Sequence, residues 1–435
     1  MTNWFRALRW KLPLPGSFWG THRVWAFLSL GVLSSTSWAQ DLVIESWRKD
    51  DEIFWEKVLI PAFERKHPGI RLSFRGEEPL SYDALLDARL TTRRAGDLIF
   101  CRPFDGNVRM RSKGHLLPLN EQELRNFNPK ARQAWTSDDG KTTFCLPVAY
   151  VMHGLFYNKK IFKDLNLQPP VTVDELLLVL KRIGAAGNIT PLALGTADMW
   201  ESTQVVFTGM GPNFWGGEKG RQDLIKRTAK FTDRGFVKAW EMMAKLKPHM
   251  HPKQNSLSNS DIQQMFATGL AGIYPSGSWD IDYLRNTSFI HHKPIDMGVF
   301  KPPVEKAGQT CHISIHPDFG IGVNKNSPNP EAALKFIAWL GSAEFAQLLT
   351  DTLVGFFSLS NHPVKVRDPL SQEMLKWRQE CRETIRLNSH KINRVWPSME
   401  EELWYANVKV INQEISPEQA ARHIQDVHEK NSYLP

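Results

Sequence analysis

Trp279 closes the stretch Phe266–Trp279 (Phe-Ala-Thr-Gly-Leu-Ala-Gly-Ile-Tyr-Pro-Ser-Gly-Ser-Trp), and its indole follows four residues of turn chemistry, Pro275-Ser276-Gly277-Ser278. An aromatic ring offered by a tight turn can lie against the C–H face of a sugar, while carboxylates nearby accept hydrogen bonds from hydroxyls. The carboxylates suited to that work are Glu77 or Glu78, Asp105, Asp198 and Asp280. The competing reading makes Trp279 a core residue and each carboxylate a solvated loop residue. Other chemistries have less support. There is no Gly-x-Ser-x-Gly elbow and no His-Glu-x-x-His helix. The adjacent His291 and His292 cannot place both rings on one side of a helix or strand, and no histidines complete a metal set with the cysteines. No metal and no cofactor is expected.

The elements that hold this stretch follow from local patterning. Ile262, Met265 and Phe266 have helical spacing over Asp261–Ala267, with Ser260 placed as N-cap and Gly269 as the positive-φ stop. Leu270–Tyr274 reads as a short central strand, and Ser278 caps a new helix at Trp279-Asp280-Ile281. Earlier in the chain, Asp41–Ser46, Ile70–Phe74 and Asp97–Cys101 read as strands. They alternate with the helix Glu52–His67 and a helix carrying Leu85, Leu86 and Leu90, which is the βαβ rhythm of a parallel sheet. Phe144–Tyr157 is the longest apolar extended run. At fourteen residues it reaches roughly 46 Å, enough to cross between two domains. Later come the strands Pro191–Gly195, Asp296–Phe300 and Phe319–Val323, with helices over Phe231–Lys247, Ser371–Leu387, Met399–Ile411 and Pro417–Lys430.

A chain of 435 residues is too long for one compact core, and 42% hydrophobic with 23% charged residues is a globular composition. Residues 1–39 read as a secretory signal peptide: a basic leader to Arg23, an apolar Val24–Leu33, and Ser37-Trp38-Ala39 before Gln40. Removing its four basic residues (Arg6, Arg9, Lys11 and Arg23) takes the formal net charge from +8 to +4. The remaining basic residues form no run, which disfavours a nucleic-acid partner. No cysteine follows the cleavage site, so a lipid anchor is not expected; the mature protein is read as exported and periplasmic. The four cysteines, Cys101, Cys145, Cys311 and Cys381, allow up to two disulfides in an oxidising compartment.

Seven motifs, in order, resemble the extracellular solute-binding proteins of ABC importers, in the family that includes maltose-binding protein. They are Phe63-Glu64-Arg65-Lys66-His67-Pro68-Gly69-Ile70; Gly96-Asp97-Leu98-Ile99-Phe100; Pro147 with Gly154-Leu155-Phe156-Tyr157-Asn158-Lys159; Pro169-Pro170 followed by Thr172, Asp174, Glu175 and Leu176; Phe266 to Trp279; Gly322-Val323-Asn324-Lys325; and Ser327-Pro328-Asn329. The resemblance implies an α/β, two-lobed periplasmic-binding-protein fold: a hinged clamshell, each lobe a mostly parallel sheet flanked by helices. It implies crossings near Ala149–Val151, Phe300–Pro303 and Leu353–Phe356, with an N-terminal lobe of 41–149 plus 302–353 and a C-terminal lobe of 151–300 plus 355–435. Ligand is then bound by hinge closure and handed to ABC transporter permease subunits by a monomer.

By its place in the matching motif Trp279 is expected to line the second lobe's side of the cleft; the resemblance puts Trp200 and Trp404 where the family's aromatic platform residues lie, and Trp47 and Tyr150 are expected to look into the cleft. With Glu77, Asp105, Asp198 and Asp280 they form the expected ligand set. Where the maltose-binding pattern has an aromatic after Phe100, this chain has Cys101-Arg102, which favours a smaller or partly anionic ligand over a long maltodextrin. Cys101 and Cys145 fall in one lobe and can bridge; Cys311 and Cys381 fall in opposite lobes, so no bridge is expected there. The implied function is uptake of a sugar or oligosaccharide. The alternatives are a phosphorylated polyol such as glycerol phosphate, gripped by Arg102 or another cleft arginine, and a glycan hydrolase, which would need two carboxylates flanking a sugar. A membrane sensor docked by the closed form is a further partner that the same cleft would serve.

Overall fold

The computed structural model describes residues 40–394 and 398–430. The signal peptide expected over 1–39 lies outside them. The strands are β1 (Gln40–Ser46), β2 (Ile70–Gly76), β3 (Leu98–Cys101), β4 (Cys145–Asn158), β5 (Thr190–Leu192), β6 (Ala271–Gly277), β7 (Met297–Phe300), β8 (His312–Val323), β9 (Phe357–Ser358) and β10 (Arg382–Thr384). They form one mixed sheet in the order β2-β1-β3-β8-β4-β6-β5, with β10 beside β8, and β7 and β9 beside β4.

At one end, the first lobe, β1 pairs parallel with both β2 and β3, as the βαβ rhythm requires. The helix between β1 and β2 widens to a π turn at Trp55–Leu59, ahead of Pro61, which has no N–H to donate to the carbonyl four residues back. It buries Trp55, Leu59 and Phe63. At the other end, the second lobe, β5 and β6 pair parallel and β6 and β7 flank the far half of β4. Thr172 caps the helix Val173–Ala185 in a reciprocal box with Glu175, as its sequence suggests.

Two strands serve both lobes. β4 is a single strand of 14 residues that pairs with β8 through Met152, then with β6 and β7 from His153 onward. Its register against β8 shifts between Pro147 and Ala149 and again between Ala149 and Tyr150. Pro147 and Pro317 cannot donate to the ladder, and the irregularity falls beside them. β8 begins seven residues earlier than its sequence pattern suggests. Its first residues pair with Met152 and Val151 and with β10, and its last with β3 and Cys145. Like β4, β8 therefore joins the two ends of the sheet, near His316–Phe319.

The same geometry overturns the expectation for Cys311 and Cys381. The two are bridged, with an S–S distance of 2.00 Å, because the residues after them, His312–Ser314 and Arg382–Thr384, lie side by side in the sheet. The helix expected over Ser371–Leu387 accordingly stops at Glu380 and gives way to β10. Cys101–Cys145 bridges β3 to β4, S–S 2.08 Å.

The third crossing that the resemblance implies, Leu353–Phe356, is packed against the turn before Trp279. Gly355 has φ +93°, and a Cβ there would lie 1.8 Å from the carbonyl oxygen of Ser278. The Ser278 hydroxyl donates to the Gly355 carbonyl and accepts from the Met152 N–H at 3.1 Å, so this one side chain ties β4 and this segment to the turn before Trp279. Gly355→Ala is expected to destabilise the protein by about 3 kcal/mol in urea unfolding, whereas Gly140→Ala, with a positive φ but nothing within 4 Å of its Cβ, costs about 1 kcal/mol. Equal costs would show that the Ser278 contact is unimportant.

Candidate functional site

The helix leading into the opening stretch starts at Asn259, and its cap is Ser258 in a reciprocal box with Asp261, not Ser260. Gly269 takes the positive φ of +80° that stops it. β6 then runs straight through Pro275–Gly277, and a 3₁₀ turn, Ser278–Asp280, carries the indole into the helix Ile281–Ile290. Ser278 does not cap that helix, because its hydroxyl is held by Gly355 and Met152. Trp279 folds back over Gly277: a Cβ on Gly277 would lie 1.8 Å from the indole Cζ3. Asp280 locks the turn. Its carboxylate accepts from Tyr274 Oη at 2.6 Å, Ser276 Oγ at 2.5 Å and Gln263 Nε2 at 2.9 Å, and burial raises its pKa.

Around the Trp279 ring stand residues from three other segments. His153 of β4 meets it edge-on at 5.3 Å, His316 of β8 at 6.5 Å, and the guanidinium carbon of Arg386 lies 5.7 Å from its centroid. The two imidazoles are 5.2 Å apart. Burial, with Arg386 beside them, holds His153 well below the ordinary imidazole range and His316 down to about 4, so both are neutral at neutral pH. Asp318 Oδ1 is 3.7 Å from His316 Nε2. Burial alone would raise the Asp318 carboxyl, but His316 and Arg48 outweigh it and hold it below the usual value.

In the first lobe the expected site aromatic, Trp47, is buried. Its ring is held edge-on to Tyr82 at 5.5 Å and Phe100 at 5.8 Å, and the Arg102 guanidinium lies 4.6 Å from its centroid. Arg102 is fixed in turn by Asp83, at 2.8 Å and 3.0 Å, and by the Pro79 carbonyl at 2.9 Å. Arg48, next to Trp47, pairs with Asp51 at 2.7 Å and lies 4.9 Å from the Phe356 ring. Electrostatics links the surroundings of the two indoles: Arg386 feels Asp318, Glu400 and Arg102 together.

The other expected residues have structural partners. Asp105 accepts from Arg394 Nε at 2.7 Å and the Asn393 N–H at 3.0 Å, joining the first lobe to the segment 389–394. Beside it Phe104 has a positive φ of +51°, and its ring stacks on His390 at 5.0 Å. Glu77 pairs with Arg89 at 2.9 Å. Tyr150 stacks on Phe357 at 5.1 Å, and its hydroxyl accepts from Arg378 at 2.7 Å. Asp198 accepts the Asn259 N–H at 2.7 Å. Trp200 and Trp404 are half-buried, and the Trp404 indole nitrogen has no partner. Trp279 and Trp47 are thus both buried, at 7% and 6% exposure, within the main hydrophobic cluster, Asp280 is locked beneath Trp279, and Tyr150 is packed among Phe357 and Arg378.

Residues 49–347 match the model of the bacterial extracellular solute-binding protein family, which is more than half of the 435 residues. The chain belongs to that family. This solute-binding protein is 25% identical over 292 residues to an ABC transporter extracellular-binding protein of Pyrococcus horikoshii, a match covering 65% of the chain and 64% of that relative, less than two thirds of its length. It is 21% identical over 322 residues to the multiple sugar-binding protein of Streptococcus mutans, 72% of each chain. In structure it is similar to a chitin oligosaccharide binding protein, with a TM-score of 0.73 at 23% identity over 89% of this chain and 98% of the other. That likeness shows the fold, a two-lobed α/β solute-binding protein, as the resemblance implied. No helix among the described residues is long and apolar enough to cross a membrane.

The solute-binding protein's polar site residues were largely missed from sequence. His316 and Asp318 had a signal, since residues two apart on a strand share a face. Arg386 and His153 had none. Glu201 was missed too: it is buried, neither carboxylate oxygen has a partner, and burial pushes its carboxyl up to about 8. Between its ordinary 4.5 and that value the folded protein holds a proton the unfolded chain has lost. The stability it contributes is therefore full at low pH and declines as pH rises through about 8. Glu201→Gln is expected to melt level with wild type near pH 4 and about 3 °C above it near pH 9, by differential scanning calorimetry. An equal offset at both pH values would contradict the buried neutral acid.

Proposed function

We propose that the protein binds a sugar or oligosaccharide between its lobes, closes around it, and delivers it to the membrane permease of an ABC transporter. Sugar binding by the Streptococcus mutans relative agrees with this. The observation that carries the reading is the pair of indoles Trp47 and Trp279, each fixed edge-on by neighbouring rings and each bordered by a guanidinium, which this reading makes the two walls that opening of the lobes uncovers. Indole faces offer C–H/π contact to a pyranose, and donors and acceptors at their edges select hydroxyl geometry.

In this reading the lobes are 41–149 with 302–353 and 151–300 with 355–435, the start of β8 travelling with the second lobe's sheet. Closure turns on β4, β8 and Leu353–Phe356. Ligand favours the closed form because contacts to both walls exist only there. The working form is a monomer exported to the periplasm through a cleaved leader, and its action is binding without catalysis.

Calorimetric titration with a panel of mono- and oligosaccharides tests this. The saccharide that binds wild type should lose at least about tenfold in affinity in Trp279→Ala, with circular dichroism unchanged. Unchanged affinity would return that indole to the core, and a panel with no binder would remove the carbohydrate reading.

A further inference from the structure

Arginines around the cleft are neutralised, with one exception. Arg48 pairs with Asp51 at 2.7 Å, Arg102 with Asp83 at 2.8 Å, Arg378 with Glu383 at 2.7 Å, and Arg394 with Asp105 at 2.7 Å and Asp138 at 2.9 Å. Arg386 makes no ion pair among the described residues. Its one side-chain hydrogen bond among the described residues is a long one, from Nε to His153 Nε2 at 3.4 Å. A guanidinium has five N–H donors and a permanent charge, so most of its hydrogen-bonding capacity here is unused.

The surroundings give the charge little relief. The side chain lies deep enough that burial lowers its pKa to about 10, against the attraction of Asp318 and Glu400 and with Arg102 adding repulsion. The other cleft arginines just named are all held above their ordinary value by their carboxylates. Neither attracting carboxylate is within ion-pair distance of Arg386. Glu400 accepts from Gln204 at 2.9 Å and Asn393 at 3.1 Å, and Asp318 leans on His316. Yet the residue is only partly buried, and none of its guanidinium nitrogens is among the fully buried, unpartnered atoms. On the same ring of residues, His153 Nδ1, both nitrogens of His316 and Asp318 Oδ2 are buried without a hydrogen-bond partner. Orphan polar groups converging on one indole and one unpaired cation describe a site that a ligand completes.

We infer that the ligand presents an oxyanion, a carboxylate or phosphate borne on the sugar, to Arg386 at the Trp279 end of the cleft; this rests on the carbohydrate reading above. A neutral hydroxyl would occupy a donor but leave the buried charge uncompensated. An oxyanion does both, through the paired, parallel N–H bonds that guanidinium forms with carboxylate or phosphate. The unpartnered Asp318 oxygen and the neutral imidazoles then take the hydroxyls of the same ring.

Thermal shift and calorimetry with matched probes test it: glucose and galactose, the corresponding uronates, their 6-phosphates, glycerol 3-phosphate and inorganic phosphate, on wild type, Arg386→Gln and Arg386→Lys. The acidic member of a pair should bind wild type at least about tenfold tighter than its neutral parent, and Arg386→Gln should bring the two level. Uronates or phosphates leading identifies which oxyanion source the site takes. Unliganded Arg386→Gln should melt at or above wild type, since the cation has no ion pair to lose. A neutral sugar that binds wild type and Arg386→Gln alike overturns the inference and leaves the carbohydrate reading standing. Binding of phosphate or glycerol 3-phosphate alone, dependent on Arg386, supports the oxyanion and removes the sugar. Arg386→Gln melting several degrees below wild type assigns Arg386 a structural role and also overturns the inference, as does a panel in which nothing binds.

Discussion

The structure depends on the antiparallel pair of β4 and β8, which are the long strands of the sheet and the ones its two ends share. Regular pairing along their whole length would make one stiff slab. Two prolines and a doubly shifted register interrupt the ladder at Pro147–Tyr150 against Pro317–Phe319, so the hydrogen-bonded connection thins where the lobes meet. The Leu353–Phe356 segment is fixed just as locally, with Gly355 pressed against the Ser278 carbonyl and the Ser278 hydroxyl reaching this segment and β4 at once. That hydroxyl belongs to the residue before Trp279. The position of the indole is therefore coupled, through one side chain, to β4 and to the Leu353–Phe356 segment.

The site's electrostatics follow from the same crowding. Histidines on β4 and β8 at the passage are kept neutral by burial, and so act as uncharged donors and acceptors. Carboxylates are either locked into hydrogen-bonded scaffolding, as Asp280 and Asp105 are, or held at the rim of the cluster, as Asp318 is. Arg386 is left with charge and donors to offer. The indoles supply apolar faces and this cluster supplies direction.

Much of the fold was legible in the sequence because local chemistry and tertiary context agreed. The fourteen-residue β4 and the Gly269 stop both came from patterns that nothing overrode. Misreadings arose where a distant partner decided. Ser278 was read as a cap, but its hydroxyl is held by Gly355, 77 residues away. The helix after Ser371 was carried too far because the strand pairing of Arg382–Thr384 with β8, beside the Cys311–Cys381 bridge, has no local sign. Site aromatics were readable as types, since Trp279 follows a turn. The polar partners were not, because Arg386 and His153 meet only after four segments converge.

The central claim is that ligand draws the two indole walls together about β4, β8 and Leu353–Phe356. Small-angle X-ray scattering with and without a saturating saccharide tests it most directly. The account predicts a smaller radius of gyration in the bound protein, with the change abolished in Trp279→Ala. An unchanged radius on saturation, with binding confirmed by calorimetry in the same sample, would contradict it.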